Sequence, residues 1–177
     1  AVEKLNEKVA KEKEKLDTAA LLSDNLSLVV DYSKAMDKRD EAFKVFQAYE
    51  KRPFKDPERQ QKSKIWMEEI KNVERAGKLI SKLLGEENTL LSSLSFEKYN
   101  TVTSFIRFLK EPDYRKEITK HKFKLNVEIT ELLEKIAAIK SGDEKAIRKE
   151  ANLYEFYKKL AGETEARLTQ ARQGMTE

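Results

Sequence analysis

The sequence predicts an all-α protein: a bundle of about five to six mostly antiparallel, long amphipathic helices joined by short connections. Three observations support this fold class. Apolar residues recur every three or four positions over long stretches, which is the helical period. Charged residues make up 38% of the chain, with both signs interspersed and only 5 Gly and 3 Pro. No stretch sustains the alternation of apolar and polar residues that indicates a half-buried strand.

The chain of 177 residues is predicted to form one domain, 1–177, because single domains commonly have about 100–200 residues. The first helix is predicted from Val2 to about Met36, where apolar residues recur at threes and fours. The following DEAFKVFQAYEKR either continues that helix past a kink near Asp37 or begins a new short helix. Heptad-like spacing in the first helix leaves self-association open.

A break is predicted across RPFKDPERQ, because its two prolines exclude helix. Asp56 before Pro57 resembles an N-cap followed by proline at the first helical position. A third helix of about eight turns is then expected, and Gly85 is expected to end it in the left-handed conformation. Trp66 in this helix is predicted to anchor the core. An exposed aromatic side chain beside the prolines would instead indicate a partner-binding patch.

A fourth helical unit is predicted from roughly Asn88 to Leu109, with a break near Ser95, which would cap its second half. The sequence KEPDY ends this unit and starts the next helix. That helix carries an apolar stripe of Ile118, Leu125, Val127, Ile129, Leu132, Leu133, Ile136 and Ile139.

The segment SGDE predicts the end of one helix and the start of the next. Gly142 closes one helix, while Ser141 with Glu144, or Asp143 alone, caps a last helix that runs from about Asp143 to Arg172.

Residue types exclude several kinds of chemistry. The chain has no cysteine, so it has neither disulfides nor a thiolate nucleophile. Its one histidine, His121, is predicted to lie on the surface, and Ile118 stands where a Glu-x-x-His metal motif needs its glutamate. There is no Gly-x-Ser-x-Gly motif and no glycine-rich phosphate loop. We therefore expect no catalytic residue, no cofactor and no metal site. No apolar run approaches the ~18 residues of a membrane span.

Two basic segments are candidates for binding: KRPFKDPERQQKSK at 51–64 and YRKEITKHKFK at 114–124. The second, with Tyr114 and Phe123 interleaved, is the candidate partner-binding or anion-binding surface, because such a pattern could track phosphates while aromatic rings stack on bases. Phe123 is nevertheless expected opposite much of that charge, and thus in the core. The basic residues of this candidate surface are Arg115, Lys116, Lys120, Lys122 and Lys124.

The end of the chain, YKKLAGETEARLTQARQGMTE, resembles a segment of the large polyvalent proteins of bacteriophages and mobile elements. The residues that carry the resemblance are Leu160, Ala161, Gly162, Glu163, Glu165, Ala166, Arg167, Gln170, Arg172, Met175 and Thr176. In that family the phrase commonly follows a His-Glu-x-x-His helix, to which one glutamate would supply a third metal ligand. That helix is missing here, so the resemblance implies a shared origin and no metal role.

We therefore expect a non-enzymatic helical module that binds a macromolecular partner, most simply a protein. It would belong to a phage or mobile-element protein or to a bacterial surface protein. One alternative is a basic helical module that binds nucleic acid through 114–124. Another is a truncated or degenerate metallopeptidase-associated domain that has lost its His-Glu-x-x-His helix.

Overall fold

The computed structural model describes residues 1–142 and confirms the all-α fold class. Within these residues there are five α-helices, one short 3-10 turn and no strand. The elements are α1 (Val2–Asp24), α2 (Leu26–Gln47), α3 (Pro57–Leu83), the 3-10 turn (Leu91–Ser93), α4 (Phe96–Phe108) and α5 (Tyr114–Lys140). Gly142 follows α5 with φ +67°, as expected of a residue that closes a helix. The predicted last helix, from about residue 143, lies outside the described residues.

The chain divides into two compact units. One is Glu7–Ile129, and the other includes Ala1–Asn6 and, of the described residues, 130–142. The core cluster, the grooves and the candidate sites described below all lie within Glu7–Ile129. The assignment of 1–177 to a single domain stays a prediction.

The break between the first two helices is at Asn25, so the predicted kink near Asp37 was wrong. Asn25 leaves the helical conformation, with φ −125° and ψ 41°. Its side-chain Nδ2 donates a hydrogen bond to the carbonyl oxygen of Leu21 at 3.0 Å. Side chains that bond locally to the backbone compete with helical hydrogen bonding, which explains the interruption. Helix α2 then continues through Asp37 without a break.

The predicted helix starts are confirmed by their capping hydrogen bonds. Asp56 Oδ1 accepts from the backbone N–H of Arg59 at 3.1 Å, and Pro57 is the first residue of α3. Ser95 Oγ accepts from the backbone N–H of Lys98 at 3.3 Å and precedes α4 directly. Each cap satisfies an N–H group that has no partner within its own helix.

The predicted end of α3 is also confirmed. Gly85 has φ +84°, a conformation that favours glycine over residues with a Cβ atom. Its N–H donates to the carbonyl of Lys82 at 3.1 Å, and the N–H of Glu86 donates to the carbonyl of Ser81 at 2.8 Å. This pair of bonds is the Schellman motif, which satisfies carbonyls of the last helical turn.

One apolar core joins all the elements of the Glu7–Ile129 unit. Its side chains are almost fully buried, and burying a large aliphatic or aromatic side chain contributes about 1.5–3 kcal/mol. Phe105 of α4 is the largest of them and has no exposed surface. The members are Ala19, Leu22, Val29, Ile80, Leu84, Leu91, Leu94, Val102, Phe105 and Ile118.

Helices α2 and α3 form an antiparallel hairpin that extends beyond this core. Near its base, Tyr32 lies against Gly77, where an added Cβ would be 3.4 Å from the tyrosine ring. Further along, Phe43 and Phe46 face Trp66 across the pair. Between Val29 and Val73 no residue is fully buried. We call residues 34–72 the arm, because this part of the hairpin is held together without an enclosed core.

Candidate functional site

The loop at the end of the arm is held by several hydrogen bonds. Arg52 donates through Nη1 to Oε2 of Glu58, and its own carbonyl accepts from Arg59 Nη1 at 2.7 Å. Gln60 Nε2 donates to the carbonyl of Phe54 at 3.2 Å. These bonds join the loop to the first turn of α3, which restricts the conformations open to it. Because these hydrogen bonds already restrict the loop, ordering it on binding would cost little conformational entropy.

This ordered loop nevertheless displays an apolar side chain. Phe54 is 77% exposed, and Met67, on the neighbouring face of α3, is 55% exposed. Both line an open groove of about 500 Å³. We call it the tip groove. Its lining residues are Phe46, Phe54, Arg59, Gln60, Ser63, Lys64, Met67, Glu68 and Lys71.

Trp66 does not reach the core, so its prediction as a core anchor was wrong. Its ring lies 4.9 Å from the ring of Phe43 and 5.2 Å from the ring of Phe46, between centroids. The three rings are only partly shielded from solvent. Trp66 therefore joins the two helices of the arm, while Phe54 is the exposed aromatic residue beside the prolines.

Positive charge is concentrated near the tip. Segment 51–64 has six basic and two acidic residues, a net charge of +4. Segment 114–124 has five basic and one acidic residue and also carries +4. These two values together exceed the +4 of the whole chain, so the remainder of the sequence is net acidic. The structure distinguishes the two segments by how their charges are distributed.

The basic residues of segment 114–124 do not converge on one face. Taking about 100° per residue, Lys116 and Lys120 lie opposite the buried residue Ile118, whereas Arg115 and Lys122 lie on one flank of the helix. Lys124 lies on the other flank, 3.9 Å from Glu128. The five candidate residues are thus divided among three directions, so a single ligand contacts only part of the set.

The expectation that Phe123 enters the core was wrong. Its side chain is 69% exposed, because the buried stripe of Ile118, Leu125 and Ile129 lies on the opposite side of α5. Phe123 shares the outer face with Lys116 and Lys120. This face therefore does combine an exposed aromatic ring with two basic side chains.

His121 is less exposed than the sequence predicted. Its ring lies 5.4 Å from the ring of Phe108, and its Nε2 atom is buried with no hydrogen-bond partner among the described residues. It borders a polar pocket of about 320 Å³ together with Glu12 and Lys15 of α1. In that pocket Lys15 Nζ donates to Glu12 Oε1 at 2.7 Å.

The surroundings of His121 lower the pKa of its imidazole below the ordinary value of 6.5. Burial is the largest cause, because it disfavours the charged form. The positive charges of Lys124, Lys15 and Arg107 act in the same direction, and the carboxylate of Glu12 opposes them. The imidazole is therefore neutral at neutral pH, and protonating it costs more in the folded state than in the unfolded state.

We expect acidification to destabilise the protein in part through His121. Its folded-state pKa is depressed, so the unfolded chain binds the proton more tightly and stability falls as the pH drops below about 6.5. Replacing His121 by Gln should reduce this loss. The measurement is the urea midpoint of both proteins at about pH 7.5 and pH 5. An equal fall in both proteins would show that other groups cause it.

The described residues offer no metal centre. Residues 1–142 bring together no group of three or more His, Asp or Glu side chains able to hold a metal ion. In the same range, no helix has both the length and the apolar character needed to cross a bilayer. The family-like phrase with Gly162, Glu163, Glu165 and Arg167 lies outside the described residues.

Comparison of the chain with protein-family models, with curated proteins and with solved structures gave no match.

Proposed function

We propose that the protein is a non-enzymatic helical interaction module that binds a protein partner through the tip groove. The observation that carries this proposal is Phe54, an aromatic side chain that is 77% exposed on a hydrogen-bonded loop. Exposed apolar surface on a structured element is characteristic of interaction sites. Aromatic side chains that become buried on association often dominate the binding energy.

The composition of the groove supports a protein partner. Phe46, Phe54 and Met67 provide an apolar floor, and Met is a flexible side chain that adapts to different partner shapes. Arg59 lies with its guanidinium carbon 5.4 Å from the centroid of the Phe54 ring. A floor of this kind with a polar rim corresponds to the apolar centre and wet edge of protein interfaces.

A second candidate function is the binding of nucleic acid through α5. The observation that favours it is the exposure of Phe123 on the same face as Lys116 and Lys120. A base stacked on an aromatic ring beside phosphate-binding lysines is a common mode of single-strand recognition. The division of the other basic residues between two flanks makes this the weaker candidate.

Three exposed phenylalanines allow the two functions to be tested together. Phe54 at the tip, Phe96 at the start of α4 and Phe123 on α5 are 77%, 73% and 69% exposed. Each is replaced in turn by the photocrosslinking amino acid p-benzoylphenylalanine. The three proteins are irradiated in lysate of the native source at low and at high salt, with and without nuclease, and adducts are identified by mass spectrometry.

The proposal predicts one protein adduct that forms from position 54, survives high salt and nuclease, and is absent from position 96. With that partner purified, Phe54→Ala together with Met67→Ala should weaken binding about tenfold or more, whereas Phe96→Ala should not. Nuclease-sensitive adducts from position 123 alone would instead establish the nucleic-acid function. Equal adducts from all three positions, or none from position 54, would contradict the proposal.

The origin of the chain in a phage or mobile-element protein stays a prediction, and so does the alternative of a metallopeptidase-associated domain. The residues that suggested these two are at 157–177, outside the described residues. A bacterial surface protein, suggested by the charged and cysteine-free composition, likewise stays a prediction.

A further inference from the structure

The tip groove has the dimensions of a short helix. On α3, Gln60, Ser63, Lys64, Met67 and Lys71 recur at spacings of three and four, so they share one face of the helix. At 1.5 Å per residue, this face extends about 16 Å from Gln60 to Lys71, which is three helical turns. Of the apolar side chains of the groove, Met67 lies on this face, Phe46 comes from the neighbouring α2 and Phe54 from the loop between the two helices. An elongated groove between two helices is the usual receptor for a third amphipathic helix.

The arm also lacks the apolar contacts that a third helix would supply. Two helices alone cannot enclose a core, and no residue between Val29 and Val73 is fully buried. A helix laid in the groove would cover Phe54 and Met67 and extend the packing around Phe46. The hydrophobic gain is about 25 cal/mol for each Å² of apolar surface removed from water.

The rim of the groove is basic. Arg59, Lys64 and Lys71 line it, and Glu68 is its one acidic residue. Lys64 forms no ion pair within the described part of the chain, and Lys71 is 3.9 Å from Glu68, a long and exposed contact. Two lysines are therefore available to a ligand.

A second groove, lined mostly by residues of the arm, differs in charge, although its volume is similar, about 510 Å³. It is lined by Arg39, Asp40 and Glu74 beside the apolar residues. Arg39 is already paired with Asp40 at 2.7 Å, so this second groove has no unpaired basic rim. Of these two grooves, the tip groove is therefore the one that offers unpaired basic side chains to an acidic ligand.

We infer that the tip groove binds an acidic amphipathic helix of the partner, about three turns long. Apolar side chains at positions i, i+3 or i+4, and i+7 of that helix contact Phe54 and Met67. Carboxylates on its edges pair with Lys64 and Lys71. This inference rests on the proposed function and specifies the chemistry of its partner.

A second copy of the same arm is a poorer occupant. Segment 51–64 carries a net charge of +4, so two tips brought together would oppose like charges. The carboxylates of an acidic helix would instead be attracted to the positive charge of this segment. Dimerisation through the groove is thus an outcome of the test and not the expected result.

The test is a selection from random peptides. The full chain is presented to a yeast-displayed library of random peptides of about 16 residues, which is long enough for four turns. We expect enriched peptides to be net acidic with apolar residues at helical spacing. One enriched peptide is then synthesised, and its affinity is measured by fluorescence anisotropy.

Charge-reversed variants supply the matched comparison. Lys64→Glu with Lys71→Glu should weaken binding of that peptide about tenfold or more, since attractions become repulsions. The control, Lys78→Glu with Lys110→Glu, makes the same change in net charge at exposed sites outside the groove, and should alter the affinity less than twofold. Circular dichroism checks that all variants fold.

Several results would overturn the inference. These are enrichment of basic, uncharged or proline-rich peptides, absence of enrichment, and equal loss of affinity in both double variants. Tighter binding of a 20-nucleotide single strand that depends on Lys64 and Lys71 would assign the groove to nucleic acid. A dimer in sedimentation that is lost on Met67→Glu would assign it to a second copy.

The outcome is separable from that of the proposed function. A protein crosslinked at position 54 together with non-acidic selected peptides leaves the function standing and removes this inference. Acidic peptides that depend on Lys64 and Lys71, without any adduct at position 54, support the groove chemistry and remove the proposed function.

Discussion

Replacing Phe105 by Ala is expected to lower the free energy of unfolding by about 3–5 kcal/mol, the usual cost of truncating a large buried aromatic residue. Phe105 is fully buried within the one cluster that joins α1, α2, α3, the 3-10 turn, α4 and α5. Its loss leaves a cavity that neighbouring side chains can only partly fill. The measurement is urea unfolding of both proteins followed by circular dichroism.

The control is on the same helix. Phe96 is the first residue of α4 and is 73% exposed, so Phe96→Ala should change the free energy of unfolding by no more than about 0.5 kcal/mol. Ala has a higher helix propensity than Phe, so equal losses in the two variants would show that burial in the core does not distinguish the two positions. The core as described would then be incorrect.

Features set by local interactions were predictable from the sequence. Asp56, Ser95 and Gly85 each act through hydrogen bonds or backbone conformations within a few residues of themselves. Such effects depend on residue type and spacing, both of which the sequence shows directly. The fold class is predictable for a related reason, because helical periodicity identifies the buried face of each segment.

Features that depend on distant contacts were not predictable in the same way. His121 was predicted to lie on the surface because its sequence neighbours are basic, but Glu12 and Lys15 of α1 and Phe108 of α4 surround it in the fold. Phe123 is a different case, because the spacing of Ile118, Leu125 and Ile129 already places it opposite the core. Counting that stripe around the helix would have predicted its exposure.

The tip groove combines a feature that was predictable from the sequence with one that was not. Segment 51–64 and its prolines were recognised as basic and as a break, which correctly located the loop. The exposure of Phe54 and Met67 was not predictable, because aromatic and apolar residues near a helix start are more often buried than exposed. Their exposure depends on the arrangement of α2 and α3, because neither helix covers these two side chains.

The arm and the core are expected to respond differently to mutation, because they are stabilised by different contacts. Replacing Trp66 by Ala removes two aromatic contacts, with Phe43 and Phe46, that hold α2 to α3. For a half-buried tryptophan we expect a cost of about 2 kcal/mol, less than that of a fully buried one. We expect this substitution to destabilise the arm alone, since Trp66 is not part of the core cluster.

Hydrogen exchange measured by mass spectrometry tests this expectation. If the arm opens as a local unit, exchange in peptides from 34–72 should accelerate about thirty-fold in Trp66→Ala, since 1.4 kcal/mol corresponds to a factor of ten. Peptides from α4, around Phe105, should keep their protection. Trp66→Phe, which retains an aromatic ring, should keep most of the protection that the arm has in the unmodified protein. Equal acceleration throughout residues 7–129 would instead show that arm and core unfold as one, and a partner helix bound at the tip would then stabilise the whole unit.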